Sequence, residues 1–156
     1  MRVTTRTNLA MRVLMSCAVN PGRTLRSPDI AQACNASLNH LMQVVNLLHQ
    51  HGFIRAHRGR TGGVELARPP AAISVGEVFR VLESGRPVVE CLTGEANTCP
   101  LTEHCRLRDG ILRAVEAFYG ALDDLTLQDL VADNCGLNAV LQFEDGLHRR
   151  CLPPAA

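Results

Sequence analysis

Apolar positions recur along most of this chain at helical rather than strand spacing. Residues 8–20 carry Leu9, Met11, Val13, Leu14, Cys17 and Ala18 on one broad face, which predicts a helix. Thr7 or Asn8 stands where a cap is needed, and Asn20-Pro21-Gly22 supplies the stop. Ser27-Pro28-Asp29 reads as the next start, with Ser at the N-cap and Pro at the first helical position of a short helix over residues 30–34. Ser37 opens a third helix, residues 38–51, closed by Gly52. Its inner stripe is Leu41, Val44, Val45 and Leu48, while Asn39, His40, Gln43 and Asn46 fall on the opposite side. The pattern then changes: residues 53–57 and 64–67 predict two short strands joined by the glycine-rich turn 58–63.

Beyond the linker Arg68-Pro-Pro-Ala, Ser74-Val-Gly-Glu77 is a capping box for a helix to about Glu83. The longest stripe, Leu107, Ile111, Leu112, Val115, Phe118, Tyr119 and Leu122, predicts a helix over residues 105–122. Thr126-Leu-Gln-Asp129 opens a last short helix through Val131, and the tail from Asn134 reads as loosely ordered.

A short helix, a tight turn and a second helix with an apolar inner face form a helix-turn-helix, and the hairpin after it is a wing. The expected fold is mainly α with a small β-hairpin wing: a winged helix-turn-helix over residues 1–70, a cysteine loop and long helix over 71–133, and a tail over 134–156. Amide side chains pair bidentately with adenine in the major groove, and arginines at a wing tip grip phosphates or a minor groove. Ser37, Asn39, His40 and Gln43 on the helix, and Arg58, Arg60 and Thr61 in the wing, are the candidate DNA contacts. The stripe on 105–122 is longer than a small winged domain can cover, which predicts a dimerisation helix and a homodimer.

Charge sharpens this division. Residues 1–68 hold nine Arg against Asp29 and Glu65, a net +7, whereas residues 69–156 hold seven Arg against thirteen acids, a net −6. The first part suits a polyanion and the second does not. The chain shows no carboxylate pair, nucleophile–base arrangement or glycine-rich cofactor loop, so an enzyme is not expected. No export-type leader follows Met1 and no apolar run reaches the ~20 residues that span a bilayer, so the expected location is cytoplasmic, without a membrane.

Seven cysteines include Cys91, Cys99 and Cys105, spaced C-x7-C-x5-C in a segment of small, polar and turn-forming residues. Thiolates select soft metals, so three chemistries stay open: an iron–sulfur cluster, zinc completed by His57 or His104, and disulfides or idle thiols. Cys17 and Cys34 sit on apolar faces and read as core; Cys135 and Cys151 in the tail read as free thiols, and His104 as a solvated loop residue.

The opening Met-Arg-Val-Thr-Thr-Arg-Thr-Asn-Leu-Ala-Met-Arg, the wing Arg-Gly-x-x-Gly-Gly, Ile-Ser-Val-Gly-Glu-Val-Phe and Cys-Pro-Leu-x-x-x-Cys-x-Leu together resemble the Rrf-two family of winged-helix transcriptional regulators across residues 1–133. Within it the chain looks most like the NsrR/RirA-like iron–sulfur branch. The resemblance implies a 4Fe–4S cluster held by Cys91, Cys99 and Cys105, in a repressor that binds a pseudo-palindromic DNA operator as a homodimer. The signal it implies is nitric oxide or, alternatively, iron status. Another branch, with a 2Fe–2S cluster, has a His three residues after the last cysteine, where this chain has Arg108. In NsrR-type proteins the fourth ligand is an aspartate from the partner subunit's first helix. Asn8 occupies that position here, as in RirA-type members, and a neutral amide is a far poorer iron ligand than a carboxylate.

Overall fold

A computed structural model describes residues 3–57, 59, 62–85, 87–94 and 97–143. Helix α1 runs Thr5–Val19, α2 Ser27–Ala33 and α3 Leu38–Gln50; the strands are β1 Ile54–His57 and β2 Gly63–Leu66; helices α4 Val75–Glu83, α5 Arg106–Asp123, α6 Leu127–Val131 and α7 Cys135–Leu141 follow. The architecture is mainly helical with one antiparallel hairpin, as the periodicity predicts.

Several boundaries move, each for an identifiable reason. Helix α1 begins before Thr7 because Thr4 is its cap: the Thr4 hydroxyl accepts the Thr7 N–H at 3.2 Å, and Thr7 itself is fully buried. Helix α2 is capped by Arg26 without a side-chain bond, so Ser27 lies inside the helix. Ser37 caps α3 as expected, accepting from the His40 N–H at 3.3 Å, and Leu41, Val44, Val45 and Leu48 are buried. Only half of the Ser74–Glu77 box forms. Ser74 accepts from the Glu77 N–H, but the Glu77 carboxylate takes Arg68 Nη2 at 2.9 Å instead of reaching back. The Thr126–Asp129 box closes in both directions.

The tail expectation fails over residues 135–141. Asn134 caps α7 by accepting the Leu137 N–H at 3.1 Å. Asn20, at the end of α1, donates to the Leu141 carbonyl at 2.7 Å and accepts the Phe143 N–H at 3.4 Å. Leu141 is buried, and Cys135 is disulfide-bonded rather than a free thiol. Cys151 lies outside the described residues.

The hairpin pairs Ile54 with Leu66 through His57 with Gly63, and Leu25 adds an isolated bridge to Val64 with both bonds at 2.8 Å. A side chain at Gly63 would press into the Leu25 carbonyl, so the loop before α2 lies directly on the wing. Helix α1 occupies the centre, touching α3, β2, α4, α6 and α7. The buried cluster runs without interruption from Leu9, Val13 and Leu41 to Ile73, Val78 and Leu127.

Helices α4 and α5 are welded together. Arg80 reaches Glu116 at 3.1 Å and Asp123 at 2.8 Å while lying 4.8 Å over the Tyr119 ring, and Phe79 meets Phe118 at 6.2 Å. Gly76 permits the close approach, since a Cβ there would stand 2.7 Å from the Asp123 backbone nitrogen. No residue of α5 is buried within the described chain, although its stripe is apolar.

Candidate nucleic-acid interface and cysteine loop

Helix α3 presents the side predicted to read DNA. Ser37, Asn39, Gln43 and Asn46 are exposed and His40 is half-buried. The helix contains no acidic residue. Ser37 has a second duty, since its hydroxyl holds the His40 N–H. Arg58, Arg60 and Thr61 lie outside the described residues.

Between α3, the start of α2 and the wing runs a cleft of about 350 Å³, lined among others by Arg26, Ser27, Met42, Asn46, His57 and Gly62. Arg26 and Met42 were not singled out from the sequence. Arg26 precedes α2 without a periodic signal, and Met42 counts as apolar in any pattern although it points outward. His57 is fixed in the wing by Glu65, 3.0 Å away across the strands, which engages one of the two histidines weighed as a zinc ligand. The other, His104, is exposed.

The cysteine loop leaves α4 and returns as α5, so both of its ends are rooted in the Arg80-welded pair. Cys91 lies in a 3-10 turn over Glu90–Leu92, and Cys105 stands at the N-cap of α5. Between them, the Asn97 side chain accepts the Cys99 N–H at 3.0 Å. Glu90 accepts both the backbone N–H (3.1 Å) and the hydroxyl (2.5 Å) of Thr98, and these bonds hold its carboxyl below the usual carboxylate range. Arg108 Nε donates to the Cys91 carbonyl at 3.4 Å, tying the start of the loop to the first turn of α5.

All three thiols are free and partly exposed. They are not gathered: among the described residues no group of three or more His, Cys, Asp or Glu side chains stands close enough to hold a metal ion. The donor set nonetheless fits a soft metal or an iron–sulfur cluster in kind and accessibility, three reachable thiols on one loop.

Asn8 lies in the first turn of α1, exposed, its N–H donating to the Thr4 carbonyl at 3.0 Å. This helix start is held by a residue that sequence reasoning missed. Glu83 Oε1 accepts from the Thr4 N–H at 2.9 Å, the Thr4 hydroxyl at 2.9 Å and the Thr7 hydroxyl at 2.5 Å. Glu83 is the last residue of α4, so the root of the cysteine loop and the helix carrying Asn8 share one carboxylate. No local signal marks this, because the partners are 76 and 79 positions apart.

The other thiols behave as core. Burial pushes Cys17 up to about 12, with the charges of Glu65 and Cys34 adding to it. Burial also raises Cys34, which the hydrogen bond from Ser16 and the charge of Arg12 partly offset. Arg12 donates to the Cys34 carbonyl at 2.9 Å, closing the end of α2.

The profile of the Rrf2 family, described as an iron-dependent transcriptional regulator, matches residues 3–133. The HTH-type transcriptional regulator NsrR of Geobacillus kaustophilus is 40% identical over 147 residues, covering 94% of this chain and 100% of that protein. NsrR of Shouchella clausii is 37% identical over 145 residues, covering 92% and 97%. Among solved structures, the oxidised form of Staphylococcus aureus CymR superposes with a TM-score of 0.67 at 27% identity, covering 85% of this chain and 97% of that one. Among the described residues no helix is long and apolar enough to cross a membrane.

Proposed function

The chain belongs to the Rrf2 family of transcriptional regulators and is not an enzyme; on that premise we propose that it is a homodimeric, cluster-dependent repressor that senses nitric oxide. The observation that carries this reading is the set of three free, partly exposed thiols on one loop, rooted at both ends in the α4–α5 frame, which Glu83 ties to α1. Cys91, Cys99 and Cys105 would hold a 4Fe–4S cluster, with Asn8 of a second copy beside the iron that no cysteine covers. When bound, such a cluster supplies an iron open to nitric oxide or to exchange with the iron pool.

The chain's own residues do the rest. Residues 1–70 read DNA: Asn39, His40 and Gln43 face base edges, while Ser37 and the wing's Arg58, Arg60 and Thr61 hold the backbone. The α5 stripe, which α4 covers only in part and which leaves Leu107 and Leu112 exposed, is closed by a second copy. That pairing sets the spacing of two α3 helices along a pseudo-palindrome, about one or two turns of DNA apart. Folding the loop around its ligand would move Cys91 and Cys99 and, through Arg108 and the loop's two roots, shift the α4–α5 pair as one piece, with Glu83 carrying that shift to α1. A coupling of ~1–3 kcal/mol changes DNA affinity about five- to 150-fold, enough for a switch. The Arg-rich DNA-reading half and the absence of a membrane-spanning helix among the described residues suit a cytoplasmic regulator.

A second reading, sensing of iron status, is favoured by Asn8, whose neutral amide leaves the fourth position weakly held, and by the iron-dependent description of the family. Non-denaturing mass spectrometry of anaerobically purified protein separates the two. A dimer carrying one 4Fe–4S per chain, altered at once by sub-stoichiometric nitric oxide, supports the first; loss of the cluster mainly on adding a chelator supports the second. Cys99→Ala should arrive without a cluster. Zinc, no metal, or a cluster-loaded Cys99→Ala protein would refute the assignment.

A further inference from the structure

In the DNA-reading half the exposed large apolar side chains among the described residues are Leu38 and Met42, at 45% and 40% exposure. Both lie on α3, one helical turn apart. Met42 is within a turn of Asn39 and Asn46 and adjoins Gln43, so one ridge carries amides and an apolar thioether together. A lone exposed apolar side chain needs no explanation, but this one lines the cleft facing the wing, on a helix without an acid.

The chemistry of the major groove gives that juxtaposition a meaning. Asn and Gln pair bidentately with N6 and N7 of adenine, and the thymine of the same base pair presents a 5-methyl group on the same edge. A helix reading adenines with amides therefore meets thymine methyls beside them, and a flexible, polarisable thioether adapts well to such a group. We propose that Met42 is a specificity-determining residue that covers the 5-methyl of a thymine in each half-site, making the contacted part of the operator A·T-rich. This inference rests on α3 being the major-groove helix and goes beyond that assignment by naming the chemical group read.

The test uses the full-length chain as purified. Binding-site selection from random duplex DNA first yields a preferred sequence. Each thymine is then replaced by uracil, which removes the methyl and nothing else. At one position per half-site, uracil should weaken binding about fourfold, and about fifteenfold when both half-sites are changed, as expected for one buried methyl each. Met42→Ala should bind thymine and uracil operators equally, and Met42→Leu should restore the discrimination. Because each comparison is made within one protein, partial misfolding of a variant does not imitate the result. Two outcomes overturn the proposal while leaving α3 in the groove: no thymine sensitive to uracil, or Met42→Ala discriminating as wild type does. If selection returns no preferred sequence, the assignment of α3 falls, and this proposal with it.

Discussion

Glu83→Ala should loosen the start of α1 by an amount the structure lets us work out. The carboxylate accepts from the Thr4 N–H, the Thr4 hydroxyl and the fully buried Thr7 hydroxyl. Hydrogen bonds to a charged group contribute about 1.5–3 kcal/mol each when one partner is deleted. Two effects reduce the sum. The Thr4 and Thr7 hydroxyls lie 3.0 Å apart and can bond to each other, and Glu83 is only half-buried, so water replaces part of what is lost. About 2 kcal/mol remains, and losing a negative charge at the positive end of a helix adds roughly 0.3–1 kcal/mol. The expected loss is thus about 2–3 kcal/mol, a fall in Tm of roughly 5–10 °C for a chain of this size. Glu83→Gln, which keeps an acceptor but not the charge, should lose about 1 kcal/mol. Urea denaturation of metal-free protein measures each, and a double-mutant cycle with Thr7→Val should show at least ~0.5 kcal/mol of coupling. A Glu83→Ala protein within ~0.5 kcal/mol of wild type, or strictly additive with Thr7→Val, would refute the reasoning.

Two further outcomes are expected. Gly76→Ala forces a Cβ against the Asp123 backbone and should cost about 1–3 kcal/mol, seen as a lower Tm; an unchanged Tm would mean that α4 and α5 are not held as closely as described. Cys17 ionises at an ordinary 9.0 when unfolded but holds its proton to about 12 in the fold. Its contribution is therefore fully present below pH 9 and is lost as pH climbs from 9 towards 12, by at most ~1.4 kcal/mol per pH unit. Denaturation midpoints at pH 8 and 10.5 should converge in Cys17→Ala relative to wild type, and an identical pH slope in both proteins would contradict the burial argument.

What was legible in the sequence was whatever is decided within a few residues. Helix α3 could be read almost end to end because Ser37, its apolar stripe and Gly52 act locally, and α6 because both halves of its capping box lie within four positions. Reading failed where a distant partner intervenes. The start of α1 lies earlier than the local pattern indicates because Thr4 is chosen as the cap together with Glu83, far along the chain. Helix α7 reads as loose tail in the sequence because its anchor, Asn20, sits 121 positions earlier. The Ser74–Glu77 box closed only halfway because Arg68 competes for the carboxylate. The three cysteines were evident as a donor set, yet their arrangement was not, since a loop's path is settled by turns such as that of Glu90 with Thr98.

The continuity of the buried cluster across residue 70 has a consequence for how this molecule can answer a signal. Because α1 lies against α3, the wing strand, α4 and α6 alike, the winged half has no slack of its own. It can neither swing free nor melt separately without opening the common core. A disturbance at the cysteine loop is thus poorly placed to reshape one reading head and well placed to re-aim it as a rigid piece. In a paired assembly, response would then be a matter of distance and angle between two unchanged surfaces, so that one intact head would recognise its half-site equally well in either state.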